Sequence, residues 1–330
     1  MRKIKAGEIF CGIQEIGEGK REVTVWSSNE AEYFPREKSI ITDYEPEFIE
    51  AIFGIKGKYT CDELHREETS IPHRLGRIND VYNLNSDDRE LDILDFGSGA
   101  SSSTLALASI FKYNKITCVE LEDTSINLAK ERVSHHKLKN IEFIRPEDPK
   151  ELGAAVKDSR YDLCVLSAVI EHMLPEERSN LLPKLWDIIR PGGYMIIYET
   201  PHRWFPMEVH TTSLPFINYL PEFLAWRIGS FLTKKNAHRR NKYGMLRAGL
   251  RGTSQREMRK YLGVEAKLIQ PNAPGVHDII DMWHVSDYHT SPRKELTYKV
   301  CRVIKKIFGI EITPWVTYVY KKPIYHTKKI

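Results

Sequence analysis

Residues 91–107 constrain the fold more than any other part of this chain. They read LDILDFGSGASSSTLAL, an apolar run of strand length followed by a glycine-rich turn and a helical pattern. Such a short apolar run is typical of a strand that is buried on both faces of a parallel sheet. Because Gly97 and Gly99 lack a Cβ atom, the turn can be tight and a ligand can approach the backbone closely. A strand, a glycine turn and a helix N-terminus in this order predict an α/β fold that binds an adenosine-containing ligand.

The residues around this turn indicate which ligand it would bind. The dinucleotide fingerprint G-x-G-x-x-G requires a third glycine where this chain has Ser102, which disfavours a dinucleotide. Asp95 lies two positions before the first glycine and could hold a cationic ammonium group, directly or through water. Glu120 follows the glycines by roughly 20 residues, where an acidic side chain accepts both ribose hydroxyls. A ligand with an adenosine end and a positively charged amino-acid end is S-adenosylmethionine.

Five motifs between residues 92 and 200 resemble those of class I S-adenosylmethionine-dependent methyltransferases. In order they read DFGSGAS, CVELEDTSINLAKERV, IEFIRPEDPKEL, YDLCVLSAVIEHM and LWDIIRPGGYMIIYETP. The first departs from the family pattern because Ser101 replaces its last glycine. The resemblance implies methyl transfer as the activity. It also implies a Rossmann-like α/β fold with a seven-stranded, mostly parallel sheet, helices on both faces, an N-terminal segment, and insertions after strands 5 and 6.

The resemblance also implies a set of cofactor-binding residues. Glu120 would be the ribose acid, Leu121 an apolar contact to adenine, and either Glu147 or Asp148 the acceptor of the adenine amino group. The remaining expected cofactor-binding residues are Asp95, Gly97, Ser98, Gly99 and, at the end of the fourth strand, Ser167.

The pattern along the chain predicts four segments. Residues 1–90 form an N-terminal cap, 91–200 the S-adenosylmethionine-binding core, 201–263 an insertion that binds substrate or a surface, and 264–330 the strands and helix that complete the sheet. Within the last segment, the aromatic and histidine-rich residues 271–291 are either a substrate lid or a packed loop.

Three histidines are candidate catalytic residues because an oxygen acceptor must lose its proton, a task that suits histidine near neutral pH. His172, His202 and His210 all lie on segments expected at the ligand-binding edge of the sheet. His210 is the first choice as base, since Glu208 is near enough in sequence to pair with it, whereas His172 is expected to shape the cofactor end. Residues 167–172 lack an Asn/Asp-Pro-Pro-aromatic motif, which disfavours a nucleobase nitrogen as acceptor. We therefore expect a small-molecule, glycan or lipid-linked acceptor.

The positive charge of the chain is concentrated in its second part. The formal net charge is +4, but from residue 201 onward 23 Lys and Arg accompany only 9 Asp and Glu. Such an imbalance suggests an anionic partner: a membrane surface, an acidic glycan or nucleic acid. An apolar, aromatic run over 216–232 precedes a cationic cluster, which suits peripheral contact of 216–240 with an anionic membrane. The alternative is an insertion helix packed on the core. The cationic residues of the cluster are Lys234, Lys235, Arg239 and Arg240.

The remaining features predict a cytoplasmic protein, with a peripheral membrane contact left open. Its five cysteines form no C-x-x-C pair, no signal-peptide pattern begins the chain, and the most apolar segment is interrupted by proline and charge. Cys61, His65 and His73 fit no zinc-site spacing, so no metal site is predicted. RNA-binding signatures are absent, which makes nucleic acid the less favoured partner. An RNA-associated or regulatory cofactor-binding protein without turnover stays the alternative function.

Overall fold

The computed structural model describes residues 2–28, 37–85, 88–147, 160–233 and 241–324. An antiparallel sheet of four strands, in the order β1-β2-β3-β4, begins the chain. The alternating sequence REVTVW of residues 21–26 predicts the third strand of this sheet. The sheet consists of β1 (Arg2–Ala6), β2 (Ile9–Gly17), β3 (Lys20–Ser27) and β4 (Glu37–Thr42).

The spacing of apolar residues predicts a helix at 47–53, and the pattern of residues 62–82 predicts further helix. The structure has a nearly continuous helical region there. Apolar side chains of the first two helices and of the four-stranded sheet share one core cluster. A single π turn, Arg66–Ser70, separates the second helix from the third. The helices are α1 (Pro46–Lys56), α2 (Thr60–His65) and α3 (Ile71–Tyr82).

The second sheet has seven strands in the order β10-β11-β9-β8-β5-β6-β7. The strands β5 to β9 are parallel, whereas β10 and β11 are antiparallel, which confirms the predicted fold class. Strand order reverses between β5 and β8, so the ligand crevice is expected at their carboxyl ends. The strands are β5 (Leu91–Phe96), β6 (Tyr113–Val119), β7 (Ile141–Ile144), β8 (Tyr161–Ser167), β9 (Ile189–Pro201), β10 (Lys267–Leu268) and β11 (Trp315–Lys321).

Helices cover both faces of this sheet. Adjacent residues of β5 show the two faces, because Ile93 belongs to one buried apolar cluster and Leu94 to the other. Met282, in the segment predicted to be a lid or a packed loop, is buried in the Ile93 cluster. The helices that follow β5 are α4 (Ser102–Ile110), α5 (Asp123–His135), α6 (Pro175–Asp187), α7 (Glu222–Leu232), α8 (Lys242–Arg247), α9 (Gln255–Leu262), α10 (Ile279–Ser286) and α11 (Pro292–Phe308).

The fifth strand of the core differs from the prediction. The helical pattern of residues 177–189 and the Pro-Gly-Gly residues 191–193 predict a helix that ends at this turn, followed by a strand at 194–198. In the structure, α6 ends at Asp187 and β9 already begins at Ile189. The pairing of β9 with β8 shifts register between Tyr161 and Leu163, and the Pro-Gly-Gly residues form the irregularity. The turn therefore interrupts a strand instead of terminating a helix.

The N-terminal segment is joined to the core through Arg132 of α5, which is fully buried. Its guanidinium donates hydrogen bonds to the carbonyl of Ala100 and to Ser102 Oγ, and its Nε lies 2.9 Å from Glu67 Oε2. A buried charge of this kind is stable only when it is paired and hydrogen-bonded. Arg132 thus fixes the glycine-rich turn against the π turn of the N-terminal segment.

The insertion after β9 exposes apolar surface on α7. Phe223, Leu224 and Leu232 are exposed, and Phe231 is 84% exposed. The predicted cationic cluster, 234–240, lies outside the described residues. Among the helices of the described ranges, none combines the length and the apolar character that a membrane span needs.

Candidate functional site

The glycine turn after β5 has the conformation that its sequence predicted. Gly97 has a φ of +71°, and a Cβ atom built on it would lie 2.7 Å from Val169 Cγ2. Its amide donates to the carbonyl of Val119, which holds the turn against the neighbouring strand β6. Ser101, which replaces the last glycine of the family motif, has a left-handed φ of +68°. The turn therefore keeps the glycine-type backbone even where a serine stands.

A cavity of about 650 Å³ opens beside this turn, within the size range of pockets for small ligands and cofactors. Ala168 and Val169, which follow β8, form another part of its wall. From the N-terminal segment, Lys56 lines it as well. The lining thus comes from the switch point of the sheet and from the segment that precedes it. Other lining residues are Gly97, Gly99, Glu120, Leu121 and His172.

Glu120 presents a carboxylate to this cavity in a fixed position. Its Oε2 accepts from the amide of Gly99 at 2.9 Å, and its Oε1 accepts from the amide of Leu121 at 2.6 Å. A carboxylate has about four lone-pair sites, so capacity remains for ribose hydroxyls. The predicted ribose acid and the predicted adenine contact therefore lie together, in a cavity of the right size for S-adenosylmethionine.

Asp95 lies beneath the turn instead of in the cavity wall. It is fully buried, and its Oδ2 accepts hydrogen bonds from Ser103 and Thr104 at 2.7 Å each. Burial, with a smaller contribution from the charge of Glu120, raises the pKa of Asp95 to about 6. Oδ1 has no hydrogen-bond partner among the described residues, so it is the atom that a nearby positive charge would neutralise.

The other predicted cofactor residues are more scattered. Ser98 is buried and Ser167 donates to Glu199 Oε2 at 3.4 Å, but neither lines the cavity. Glu147 is exposed on the turn after β7 and is not among the residues that line the cavity. Asp148, the alternative adenine acceptor, lies outside the described residues. The roles of these residues stay predictions.

A second cavity, of about 400 Å³, adjoins the first. Ala168, the residue after β8, lines both cavities and has a φ of +53°. In contrast to the first cavity, charged and histidine side chains dominate the wall of the second. They include Arg66, Arg74, Glu171, Glu199, His210 and Asp287.

The charged residues of the second cavity come from distant parts of the chain. Arg66 begins the π turn, a feature often found at functional sites, and its Nη2 lies 2.7 Å from Glu199 Oε2. Glu199, near the end of β9, has a φ of +58°, a strained conformation for a residue other than glycine. Arg74 on α3 is buried beside the same carboxylate. Sequence reasoning missed all three residues. The one available signal was the position of Glu199 at the carboxyl edge of the sheet.

Glu171, His172 and His210 meet where the two cavities adjoin. Glu171 and His172 lie on the short 3-10 helix Ile170–His172, and His210 follows in the insertion. Glu171 is fully buried, and burial raises its pKa to about 7. One ligand-type atom from each of the three residues lies within 4.8 Å of the other two, a spacing at which they could hold a metal ion.

Glu208 does not pair with the imidazole of His210 as expected. Its buried carboxylate accepts from the backbone amides of His210 and Thr211 and from the hydroxyl of Thr212. The ring of His210 instead faces Glu171, with 4.0 Å between Nε2 and Oε1. Backbone amides are closer to the Glu208 carboxylate than the ring is, so this carboxylate shapes the loop that presents His210.

His202 lies apart from the other two candidate histidines. It is buried, and its Nδ1 accepts from the amide of Trp204 at 3.2 Å. Burial lowers the pKa of His202 to about 4. It lines neither of the two cavities, so the structure brings together His172 and His210 but not His202.

Comparison with known proteins agrees with this geometry. Residues 93–193, which run from β5 into β9, match the family described as methyltransferase domain. The core of this chain is a methyltransferase domain. The family supports S-adenosylmethionine as the cofactor of this domain. Of the predicted binding residues, Gly97, Gly99, Glu120 and Leu121 line the cavity.

Curated relatives match only parts of this chain. A release factor glutamine methyltransferase from Fusobacterium nucleatum is 30% identical over 96 residues, 29% of this chain and 26% of the relative. A demethylmenaquinone methyltransferase from Lactococcus lactis is 22% identical over 132 residues, 40% of this chain and 50% of the relative. The chain thus spans half or less of the length of these relatives.

Among solved structures, an O-methyltransferase family protein from Burkholderia thailandensis is similar, with a TM-score of 0.46 and 10% sequence identity. The alignment covers 83% of this chain and 62% of that protein.

Proposed function

We propose that this protein transfers a methyl group from S-adenosylmethionine to an oxygen atom of an acceptor bound in the second cavity. The observation that carries the proposal is the meeting of two cavities at Ala168, one beside the glycine turn and Glu120, the other lined by charged residues. Methyl transfer is an in-line displacement, so the acceptor atom must approach from the side opposite the leaving sulfur. Two adjoining cavities with a small residue between them meet that requirement.

On the cofactor side, the chain would bind S-adenosylmethionine and orient it. S-adenosylmethionine would supply an already activated methyl group, so the main task of the protein is positioning. Glu120 would accept from the ribose, Leu121 would contact the adenine, and the backbone at Gly97 would approach the methionine part closely. Asp95, ionised below the turn, would favour the positive end of the ligand through its charge.

On the acceptor side, the lining favours a polar, hydroxyl-bearing group. Arg66 and Arg74 provide donors, and Glu199 provides an acceptor, so each can bond a hydroxyl of a glycan or of another small molecule. We propose that Glu171 and His210, which line the wall of this cavity, act on the proton of the accepting hydroxyl.

A peripheral membrane contact through residues 216–240 is part of the same proposal. The exposed Phe223 and Phe231 on α7 support it, as does the position of the cationic cluster directly after this helix. Each Lys or Arg near an anionic leaflet contributes about 1 kcal/mol, enough together for reversible attachment of a cytoplasmic protein. Retention by anionic but not neutral liposomes would support it, provided that retention is lost when the cationic cluster is neutralised. The residues to neutralise are Lys234, Lys235, Arg239 and Arg240. No retention at low salt would exclude it.

The transfer itself is tested with methyl-labelled S-adenosylmethionine and fractionated cell extract. We expect one fraction of small-molecule, glycan or lipid-linked compounds to gain label in the presence of the protein. The Glu120→Ala variant, tested on the same fractions, should label them far less. Label appearing only in RNA would make nucleic acid the acceptor and would contradict the proposal. Cofactor binding without label in any fraction would favour a regulatory protein without turnover.

A further inference from the structure

Only one of the two carboxylate oxygens of Glu171 has a hydrogen-bond partner among the described residues. Its Oε2 accepts from Thr200 Oγ1 at 2.9 Å, but its Oε1 has no hydrogen-bond partner among the described residues, although Glu171 is 0% exposed. Leaving a carboxylate oxygen buried without a partner costs the desolvation of that atom, and this cost is larger for a charged group than for a neutral one. A site that keeps such an atom has a reason for it, such as an ion that binds there.

The surroundings of this oxygen are those of a metal ligand. His210 Nε2 lies 4.0 Å from Oε1, too far for a direct hydrogen bond. Two ligands at about 2.1 Å from a tetrahedral cation would stand roughly 3.4 Å apart, so a cation fits between these atoms after a small closure. His172 contributes the third ligand atom of the group.

Neighbouring groups orient two of these ligands. The Nδ1–H of His172 donates to the carbonyl of Arg247 at 2.7 Å, which places the proton on Nδ1 and the lone pair on Nε2. Metal-binding histidines usually have such a bond from the other ring nitrogen. Gly249 leaves room for the ring of His210, because a Cβ atom there would lie 3.1 Å from Nδ1 and 3.3 Å from Glu171 Cγ.

We propose that Glu171, His172 and His210 bind one divalent transition-metal cation, with Zn²⁺ the best match. Two imidazoles and one carboxylate suit Zn²⁺ and disfavour Mg²⁺, which prefers oxygen ligands. Three protein ligands leave one coordination position open, as in catalytic zinc sites. Both Glu171 and His210 line the second cavity, in which the acceptor is proposed to bind. The sequence pattern predicted no metal, because the third ligand is distant in sequence and only the fold brings it near.

This inference rests on the proposed function, which it makes more specific. A cation that contacts the accepting hydroxyl lowers the pKa of that hydroxyl, so its proton passes more easily to solvent water. The oxygen then forms a bond to the methyl carbon while the bond from that carbon to the sulfonium sulfur breaks, and S-adenosylhomocysteine leaves as a neutral thioether. His210 then acts as a ligand, and Glu171 and His210 act on the proton of the acceptor through the cation. The proposed acceptor is accordingly one whose oxygen can bind a metal ion.

The test is calorimetric titration of the untagged full-length protein with ZnCl₂ after removal of metal by a chelator. Elemental analysis of the dialysed complex gives the stoichiometry. We expect about one Zn²⁺ per chain. Glu171→Gln and His210→Ala should each weaken binding by about a hundredfold or more. His277→Ala is the matched control, because His277 is exposed and outside both cavities. Excess Mg²⁺ should not compete.

Two outcomes would overturn the inference. One is the absence of stoichiometric Zn²⁺ binding, and the other is a Zn²⁺ affinity that Glu171→Gln and His210→Ala leave unchanged. Circular dichroism shows whether the variants fold. If they do not, the visible spectrum of the Co²⁺-loaded wild-type protein tests the ligand set, and the spectrum of hydrated Co²⁺ alone would refute it. Titration of the metal-free protein with S-adenosylhomocysteine separates the two proposals, since failure there refutes the methyltransferase function without bearing on Zn²⁺.

Discussion

Replacing Gly97 by alanine tests the packing of the glycine turn. With φ at +71°, any residue with a Cβ atom is strained there by about 1–2 kcal/mol. The new Cβ would also lie 2.7 Å from Val169 Cγ2 and 3.1 Å from Cγ1, an overlap that costs typically about 1–3 kcal/mol. We therefore expect Gly97→Ala to lower the free energy of unfolding by about 2–5 kcal/mol.

Gly99→Ala is the matched control for this substitution. Gly99 also has a positive φ, +54°, but a Cβ atom there meets nothing within 4 Å, so only the backbone strain should be measured. Gly97→Ala can also be made in a Val169→Ala protein, which lacks both γ carbons of Val169. There the new Cβ at residue 97 would lie 3.5 Å from the Cβ of residue 169, which is an ordinary contact. In urea unfolding experiments, the Gly97→Ala and Val169→Ala double-mutant cycle should give a coupling energy of about 1–3 kcal/mol.

The reasoning is refuted if Gly97→Ala destabilises the protein no more than Gly99→Ala does. It is also refuted if the coupling energy to Val169→Ala is zero within error, because the overlap would then not exist. Either result would mean that the turn and the segment after β8 are further apart than the structure shows.

Three further predictions concern the site. Ala168→Leu should lower turnover about a hundredfold and cofactor affinity much less, because the larger side chain stands where the cavities meet and separates the acceptor from the methyl group; an equal loss of cofactor affinity in calorimetry would contradict this. His210→Asn should lower turnover by roughly 10²–10⁴-fold and leave cofactor binding intact, and nearly full turnover would remove His210 from the mechanism. Burial raises the pKa of Asp95 to about 6, above its value of about 3.9 in an unfolded chain, so the native state binds this proton more tightly. Stability should then fall by up to about 3 kcal/mol as pH rises from 4 to 6, relative to Asp95→Asn, and parallel curves for the two proteins would refute the assignment.

The sequence predicted the central sheet well because its signals are local. A strand buried on both faces must be apolar at almost every position, as the strand before Gly97 is. The signal for Glu120 is also local. This residue directly follows an apolar run, which sets its position at the carboxyl edge of the sheet. The pairing of the neighbouring strands β5 and β6 then places Gly97 and Glu120 at one cavity.

The second cavity could not be predicted in the same way. Arg66 and Glu199 are 133 residues apart, and neither belongs to a pattern that marks it as part of a site. Glu208 was expected to hold the ring of His210, but four closely spaced donors of the same loop satisfy its carboxylate first. β1 and β4 are short strands in which half or more of the residues are exposed, and the second half of β2 is exposed, so these strands lack the apolar signal of a core strand.

Calorimetric titration with S-adenosylhomocysteine, on the wild-type protein and on Glu120→Ala, tests the central claim most directly. The account predicts one site per chain in the wild type and an affinity about ten- to a hundredfold lower in the variant, since a charge-assisted partner of the ribose is lost. Glu122→Ala is the control, because Glu122 lines the same cavity without an assigned contact to the ribose. Equal affinities of the wild type and Glu120→Ala would contradict the ribose assignment, and no binding by the wild-type protein would contradict the cofactor site itself.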